Sequence, residues 1–141
     1  MGIQSLEIKF SKIGVNQVSG NQDKIEKICT YIPVAVVQFD GESKKKRIYL
    51  SSIVSDKKSI KEVIAGDTFI CLKIDGDYKV YNLDGELQGN ISSEEYGNLL
   101  QVNEDSFILL KDSVITLIND KGEVTGSREL TEEELKTIKE S

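Results

Sequence analysis

The stretch Asp67-Thr68-Phe69-Ile70-Cys71-Leu72-Lys73 returns thirty-eight residues later as Asp105-Ser106-Phe107-Ile108-Leu109-Leu110-Lys111, with five of the seven positions identical. A fixed spacing of this length marks a chain assembled from copies of one supersecondary unit, each too small to bury its own apolar face alone. The feature restricts the fold to a stack, ring or array of like units.

The match extends downstream. Val80-Tyr81-Asn82-Leu83-Asp84-Gly85-Glu86-Leu87-Gln88-Gly89 aligns with Leu117-Ile118-Asn119-Asp120-Lys121-Gly122-Glu123-Val124-Thr125-Gly126, and Asn, Gly, Glu and the second Gly coincide. The spacing here is thirty-seven, which places a one-residue loss in the loop between, Asp75-Gly76-Asp77 in one copy and Asp112-Ser113 in the other. A hairpin tip absorbs such a change at little cost. A fainter copy lies upstream. Ile25, Ile28 and Cys29 precede Ile60, Val63 and Ile64 by thirty-five residues, and the run from Val34 to Gly41 lies over that from Phe69 to Gly76. Three units follow, at about 24–56, 59–93 and 98–130.

Each unit reads as strands. The central runs are short and rich in Phe, Ile, Val and Leu, and apolar residues at successive positions mean that both strand faces are buried. Asp40-Gly41, Asp75-Gly76 and Asp84-Gly85 are hairpin signals, because Gly accepts the positive φ of such turns. The third unit predicts strands at 98–103, 106–111, 114–119 and 123–129, a four-stranded antiparallel meander. Two stretches compete between helix and strand. Ile25, Ile28, Cys29 and Ile32 form a helical stripe, and Ser59-Ile60-Lys61-Glu62 has the form of a capping box. The repeat favours strand at both 24–32 and 59–65. Ser5-Leu6-Glu7-Ile8-Lys9-Phe10 alternates as a half-buried strand. Thr131-Glu132-Glu133-Glu134 is a capping box with acidic residues at the positive end of the helix dipole, which predicts a short C-terminal helix at 132–140.

Meanders of about 37 residues whose third strand ends in Asn-x-x-Gly-Glu resemble the blades of a β-propeller. The resemblance spans residues 24–130 and implies an all-β chain whose loops gather on one rim. The Trp-Asp dipeptide of the best-known blade family is absent, since the chain has no Trp. Propellers carry four to eight blades, so three leave an open edge, and open edges invite pairing. Two chains forming a six-bladed ring, an array capped by the N-terminal strand and C-terminal helix, and a β-trefoil are the ways to close it.

At 141 residues the chain is expected to form a single domain, 1–141, that needs no disulfide or metal to fold. No apolar run approaches the ~20 residues of a membrane helix, so no membrane association is expected. The net charge of −6 argues against a nucleic-acid partner, which demands clustered cations. The one basic cluster, Lys44-Lys45-Lys46-Arg47, reads as a solvated hairpin tip. Cys29 and Cys71 stand among apolar neighbours and read as reduced, buried thiols. With no signal segment in Met1–Glu7, a cytoplasmic location is expected. Asn90-Ile91-Ser92, a glycosylation sequon in form, carries no weight there.

The chain has no histidine, which removes the commonest general base and the Ser-His and Cys-His nucleophile pairs. No phosphate-binding loop, nucleophile elbow or dinucleotide fingerprint is present, and no cofactor is expected. Asp75, Asp77 and Glu86 imitate a calcium-binding loop, but Val80 stands where Gly is required and Lys79 where an oxygen ligand belongs, so no metal site is expected. The remaining candidates are Asp75 and Asp84 on hairpin tips and the flanking Tyr78 and Tyr81. The acids suit turn geometry and also the carboxylate pair of a glycoside hydrolase. The tyrosines suit core or rim packing and also a protein or carbohydrate contact. The leading expectation is a non-enzymatic protein-interaction module that binds a protein partner or itself, as a homodimer. A carbohydrate-binding or carboxylate-dependent hydrolase domain and a small acidic inhibitor or immunity-type protein are the alternatives.

Overall fold

The computed structural model describes residues 2–19, 25–54 and 57–140, with side chains over 2–12, 30–54 and 58–138. The described strands pair into three antiparallel sheets. The first holds β1 (Ile3–Ser19), β2 (Ile25–Phe39) and β3 (Lys46–Tyr49); the second holds β4 (Ile60–Ala65), β5 (Ile70–Ile74), β6 (Asp77–Tyr81) and β7 (Leu87–Ser92). The third holds β8 (Asn98–Val102), β9 (Ser106–Lys111), β10 (Val114–Asn119) and β11 (Val124–Glu129). Among the described residues there are two α-helices, a single turn α1 (Ser93–Tyr96) and the C-terminal α2 (Glu132–Glu140). The fold is all-β and repeat-like. Among the described residues the strands close no barrel, which removes the trefoil alternative.

Both ambiguous stretches are strand. The β2 segment continues through Pro33, which a helix interior excludes, and pairs with β1 and β3 on its two sides. The 59–65 stretch forms β4 after one 3-10 turn at Lys57–Ser59, with Ile64 buried. Lys24, Ser55 and Asp56 lie outside the described residues. The first sheet has three strands rather than four: the stretches expected as two strands at 24–32 and 34–41 run together as β2, and the N-terminal stretch that reads as a flank supplies β1. Leu6, Ile8 and Phe10 pair with Val37, Ala35 and Pro33 and pack against the core, while Ser5, Glu7 and Lys9 face solvent.

The structural repeat between the second and third sheets is thirty-seven through their last three strands, from β5–β7 to β9–β11. Ile70 pairs with Tyr81 as Phe107 pairs with Ile118, and Ile74 pairs with Asp77 as Lys111 pairs with Val114. The β5–β6 and β9–β10 turns are equally long, and each begins with an aspartate in the left-handed region, Asp75 at φ +51° and Asp112 at φ +55°. No residue is lost at that tip. The seven-residue echo therefore stands one position out of step with the fold, and the counterpart of Phe107 is Ile70, not Phe69. The upstream alignment slips by an odd number too: it sets Ala35 on Ile70, yet Ala35 faces the second sheet and Ile70 the first. A one-residue slip exchanges the two faces of a strand, and runs that are apolar on both faces do not oppose it.

The sheets stack face to face with the second in the middle. Its Ile70, Leu72, Ile74 and Tyr81 meet Ala35, Val37, Ile48 and Leu50 of the first sheet. Its other face, including Phe69, Cys71, Tyr78 and Val80, meets Phe107, Leu109 and Ile118 of the third. Both faces of the middle sheet are thus buried, which accounts for its uninterrupted apolar strands.

The Asn-x-x-Gly-Glu segments are a docking device. The Asn82 side-chain oxygen accepts from the Asp84 and Glu86 N–H groups at 2.9 and 3.0 Å; Asn119 does the same for Lys121 and Glu123 at 2.9 Å each. Each turn then leans on the preceding sheet. The Gly85 carbonyl accepts from Ser51 N at 2.8 Å beside the end of β3, and Gly122, at φ +72°, lies backbone to backbone against Gly89 of β7. A Cβ on Gly122 would come within 2.6 Å of the Gly89 Cα, so glycine at this place serves both the turn and the seam between sheets.

Candidate functional site

Tyr78 and Tyr81 are not surface residues. Both are fully buried, and each hydroxyl crosses a seam. The Tyr78 hydroxyl accepts from Leu99 N of the third sheet at 3.0 Å. The Tyr81 hydroxyl shares a short hydrogen bond with Ser52, just beyond the first sheet. Burial pushes both phenols above their ordinary pKa. These are the polar tips of core residues, satisfied by neighbouring sheets, and the surface-contact reading of the pair does not hold.

Asp75 and Asp84 are exposed at turns, as expected, but at opposite ends of β6. Five residues of strand separate the two tips by about 17 Å, well beyond the roughly 5–9.5 Å between paired glycosidase carboxyls. The structure does not bring these two acids into one site. Among the described residues no group of three or more His, Cys, Asp or Glu is placed to hold a metal ion, and no helix is long and apolar enough to cross a membrane. Lys44, Lys45, Lys46 and Arg47 are all exposed, the first two in the β2–β3 loop and the others opening β3. Cys71 is a free, fully buried thiol whose pKa burial pushes up, with Glu62 a second cause; the Cys29 side chain lies outside the described residues.

A cleft of about 510 Å³ opens beside the β9–β10 turn, between α1 and the strands β10 and β11. Glu95, Tyr96, Asp112 and Thr116 are among its lining. Lys111, also on its wall, donates to the Glu94 carbonyl at 2.6 Å. The cleft opens widely on the surface, and the Ser113 hydroxyl on its wall donates to the Glu129 carboxylate at 3.4 Å.

Sequence reasoning missed the most distinctive surface, the outer face of the third sheet. Ile108, Ile115 and Leu117 point away from the second sheet and line a shallow groove of about 220 Å³ with Gly126, Ser127 and Arg128. Leu117 is 37% exposed. Thirty-seven residues earlier stand Cys71, Tyr78 and Val80, which are fully buried because the third sheet covers them. The same positions of the repeat are thus sealed in one copy and open in the next. At the rim, Arg128 grips Glu134 of α2 through two bonds of 2.9 and 2.8 Å, which holds the Glu134 carboxyl at about 2, well below the usual carboxylate range.

The outer face of the first sheet differs in character. Lys9, Val34, Val36, Arg47 and Tyr49 line a groove there of about 220 Å³. Lys9 and Tyr49 lie opposite Val34, and Arg47 lies opposite Val36.

Comparison of the chain with protein-family models, with curated proteins and with solved structures gives no match.

Proposed function

We propose that the chain is a non-enzymatic protein-interaction module whose sheets stack as blades of a β-propeller-like array, and that it binds a protein partner through the outer face of its third sheet. One observation carries this reading: Ile108, Ile115 and Leu117 occupy the positions that the second sheet uses to bind a neighbouring sheet, yet here Leu117 is exposed and Ile108 and Ile115 are only half-buried. A contiguous apolar sheet face rimmed by polar groups is the usual mark of a protein contact. The absence of histidine from the sequence and the placement of Asp75 and Asp84 at opposite ends of β6 favour this reading over a hydrolase built on those two acids.

Affinity capture from the source cells with wild type, Leu117→Lys and the distant surface variant Lys79→Gln tests the proposal. A partner held by wild type and Lys79→Gln, lost by Leu117→Lys and rebinding as a purified protein supports it. A partner held equally by all three counts against this face.

A further inference from the structure

The geometry points to a second copy of this chain as the occupant of the open face: we infer that the third sheet of one copy packs on the first sheet of another, head to tail. The inference rests on the interaction-module reading and names its partner.

Three observations converge. The repeat runs in one direction, because Ile70, Leu72 and Tyr81 face the first sheet just as their counterparts Phe107, Leu109 and Ile118 face the second. Whatever covers Ile108, Ile115 and Leu117 therefore takes the position that a following sheet of the same array would take. The other end of the stack offers such a sheet, where Tyr49, 55% exposed, and half-buried Val36 lie beside two cations, Lys9 and Arg47, over the buried Val34. The ends also differ in charge. Residues 1–54 carry eight Lys or Arg against five Asp or Glu, whereas residues 98–141 carry five against ten. Opposite net charge steers the two unlike ends together and disfavours two like ends. Two copies joined in this way at both ends would close a ring of six sheets, inside the four-to-eight range in which such rings close. Incomplete closure would instead give an open chain, since a head-to-tail contact propagates unless rotation brings it back.

Sedimentation of the full chain over a range of concentrations, with two surface variants, tests this. Lys9→Glu/Arg47→Glu disables the first-sheet face, and Leu117→Lys disables the third-sheet face. All three positions are exposed, and circular dichroism identifies any variant that misfolds, with Ile115→Lys as the substitute for Leu117→Lys. Wild type is expected at twice the chain mass for the closed ring, or at higher multiples for an open chain, with apparent affinity falling about tenfold or more at high salt. Each variant alone is expected as a monomer. An equimolar mixture regains a two-chain species, because one intact face remains on each partner. Wild type that stays monomeric at every concentration overturns the inference, as does a Lys9→Glu/Arg47→Glu variant that still dimerises, which would mean like faces meeting. A mixture that fails to associate overturns it too. If wild type is monomeric while Leu117→Lys still abolishes partner capture, self-association falls and the interaction module stands.

Discussion

Phe69 and Phe107 stack across the seam between the second and third sheets, with ring centroids 5.7 Å apart. The sequence echo makes them copies of each other; the fold makes them partners. Both are fully buried, and truncating either to alanine is expected to cost about 3–5 kcal/mol. Because they touch, the double variant should be less damaging than the sum by about 0.5–1.5 kcal/mol. Denaturant unfolding of a double-mutant cycle with Leu in place of Ala, should the alanine variants not fold, measures this coupling. Strict additivity would mean that the two rings are not in contact.

The glycine seam predicts a graded series. Gly126→Ala has open space and is expected to be near neutral. Gly122→Ala places a Cβ at positive φ, worth about 1–2 kcal/mol by itself, and also drives it into the Gly89 backbone. Its loss of stability should therefore exceed that figure. Equal stability of the two variants in urea unfolding would contradict the close approach of β7 and the β10–β11 turn.

The two asparagine turns should respond alike. Asn82→Ala and Asn119→Ala each remove an acceptor shared by two backbone N–H groups, at an expected cost of about 1 kcal/mol each. Asp at either position keeps the acceptor and should recover most of the loss. A large asymmetry between the two sites in thermal or urea unfolding would show that the turns are not equivalent.

The tether of α2 predicts a pH dependence. Glu134 is held at about 2, first by the Arg128 guanidinium and next by the Thr131 N–H. Its folded pKa lies below the ordinary value of 4.5, so its contribution is complete above that value and disappears as pH falls through about 2. Carboxyl NMR should find this midpoint for Glu134, and Arg128→Gln should return it towards the ordinary range. An unshifted Glu134 in wild type would contradict the bidentate pair.

Cys71 should resist alkylation in the folded chain. Burial pushes its thiol pKa up, which removes the reactive thiolate. Peptide mapping after iodoacetamide treatment is expected to find Cys71 modified only as fast as the chain unfolds. Rapid modification under native conditions would place it outside the core.

Local structure was well written in the sequence and register was not. The four strands expected in the third unit match β8 to β11 to within a residue, and the Thr131–Glu134 capping box forms as read, with Glu134 N donating to the Thr131 hydroxyl at 3.2 Å and Thr131 N donating to the Glu134 carboxylate at 3.1 Å. Such features depend on neighbours a few residues apart. Register depends on a strand that differs between its two faces, and Ile70-Cys71-Leu72 and Phe107-Ile108-Leu109 are apolar on both. The fates of Tyr78 and Tyr81 were hidden for a related reason. An amphipathic ring belongs in the core or at a surface according to whether its hydroxyl finds a partner, and those partners, Leu99 N and Ser52, come from other sheets. The open face follows the same rule. Ile108, Ile115 and Leu117 read as core in the sequence, and only the period of thirty-seven sets them against Cys71, Tyr78 and Val80, whose face is covered.

The central claim is that this face is a binding surface equivalent to a covered one. Methyl-resolved NMR of the full chain, recorded as its concentration rises, tests it most directly. The account predicts shifts and broadening at Ile108, Ile115 and Leu117 of the third sheet together with Val34 and Val36 of the first, while Ile70, Leu72 and Ile118 inside the stack stay unchanged. Concentration-dependent changes confined to other surfaces, or no change at any of these methyls, would contradict it.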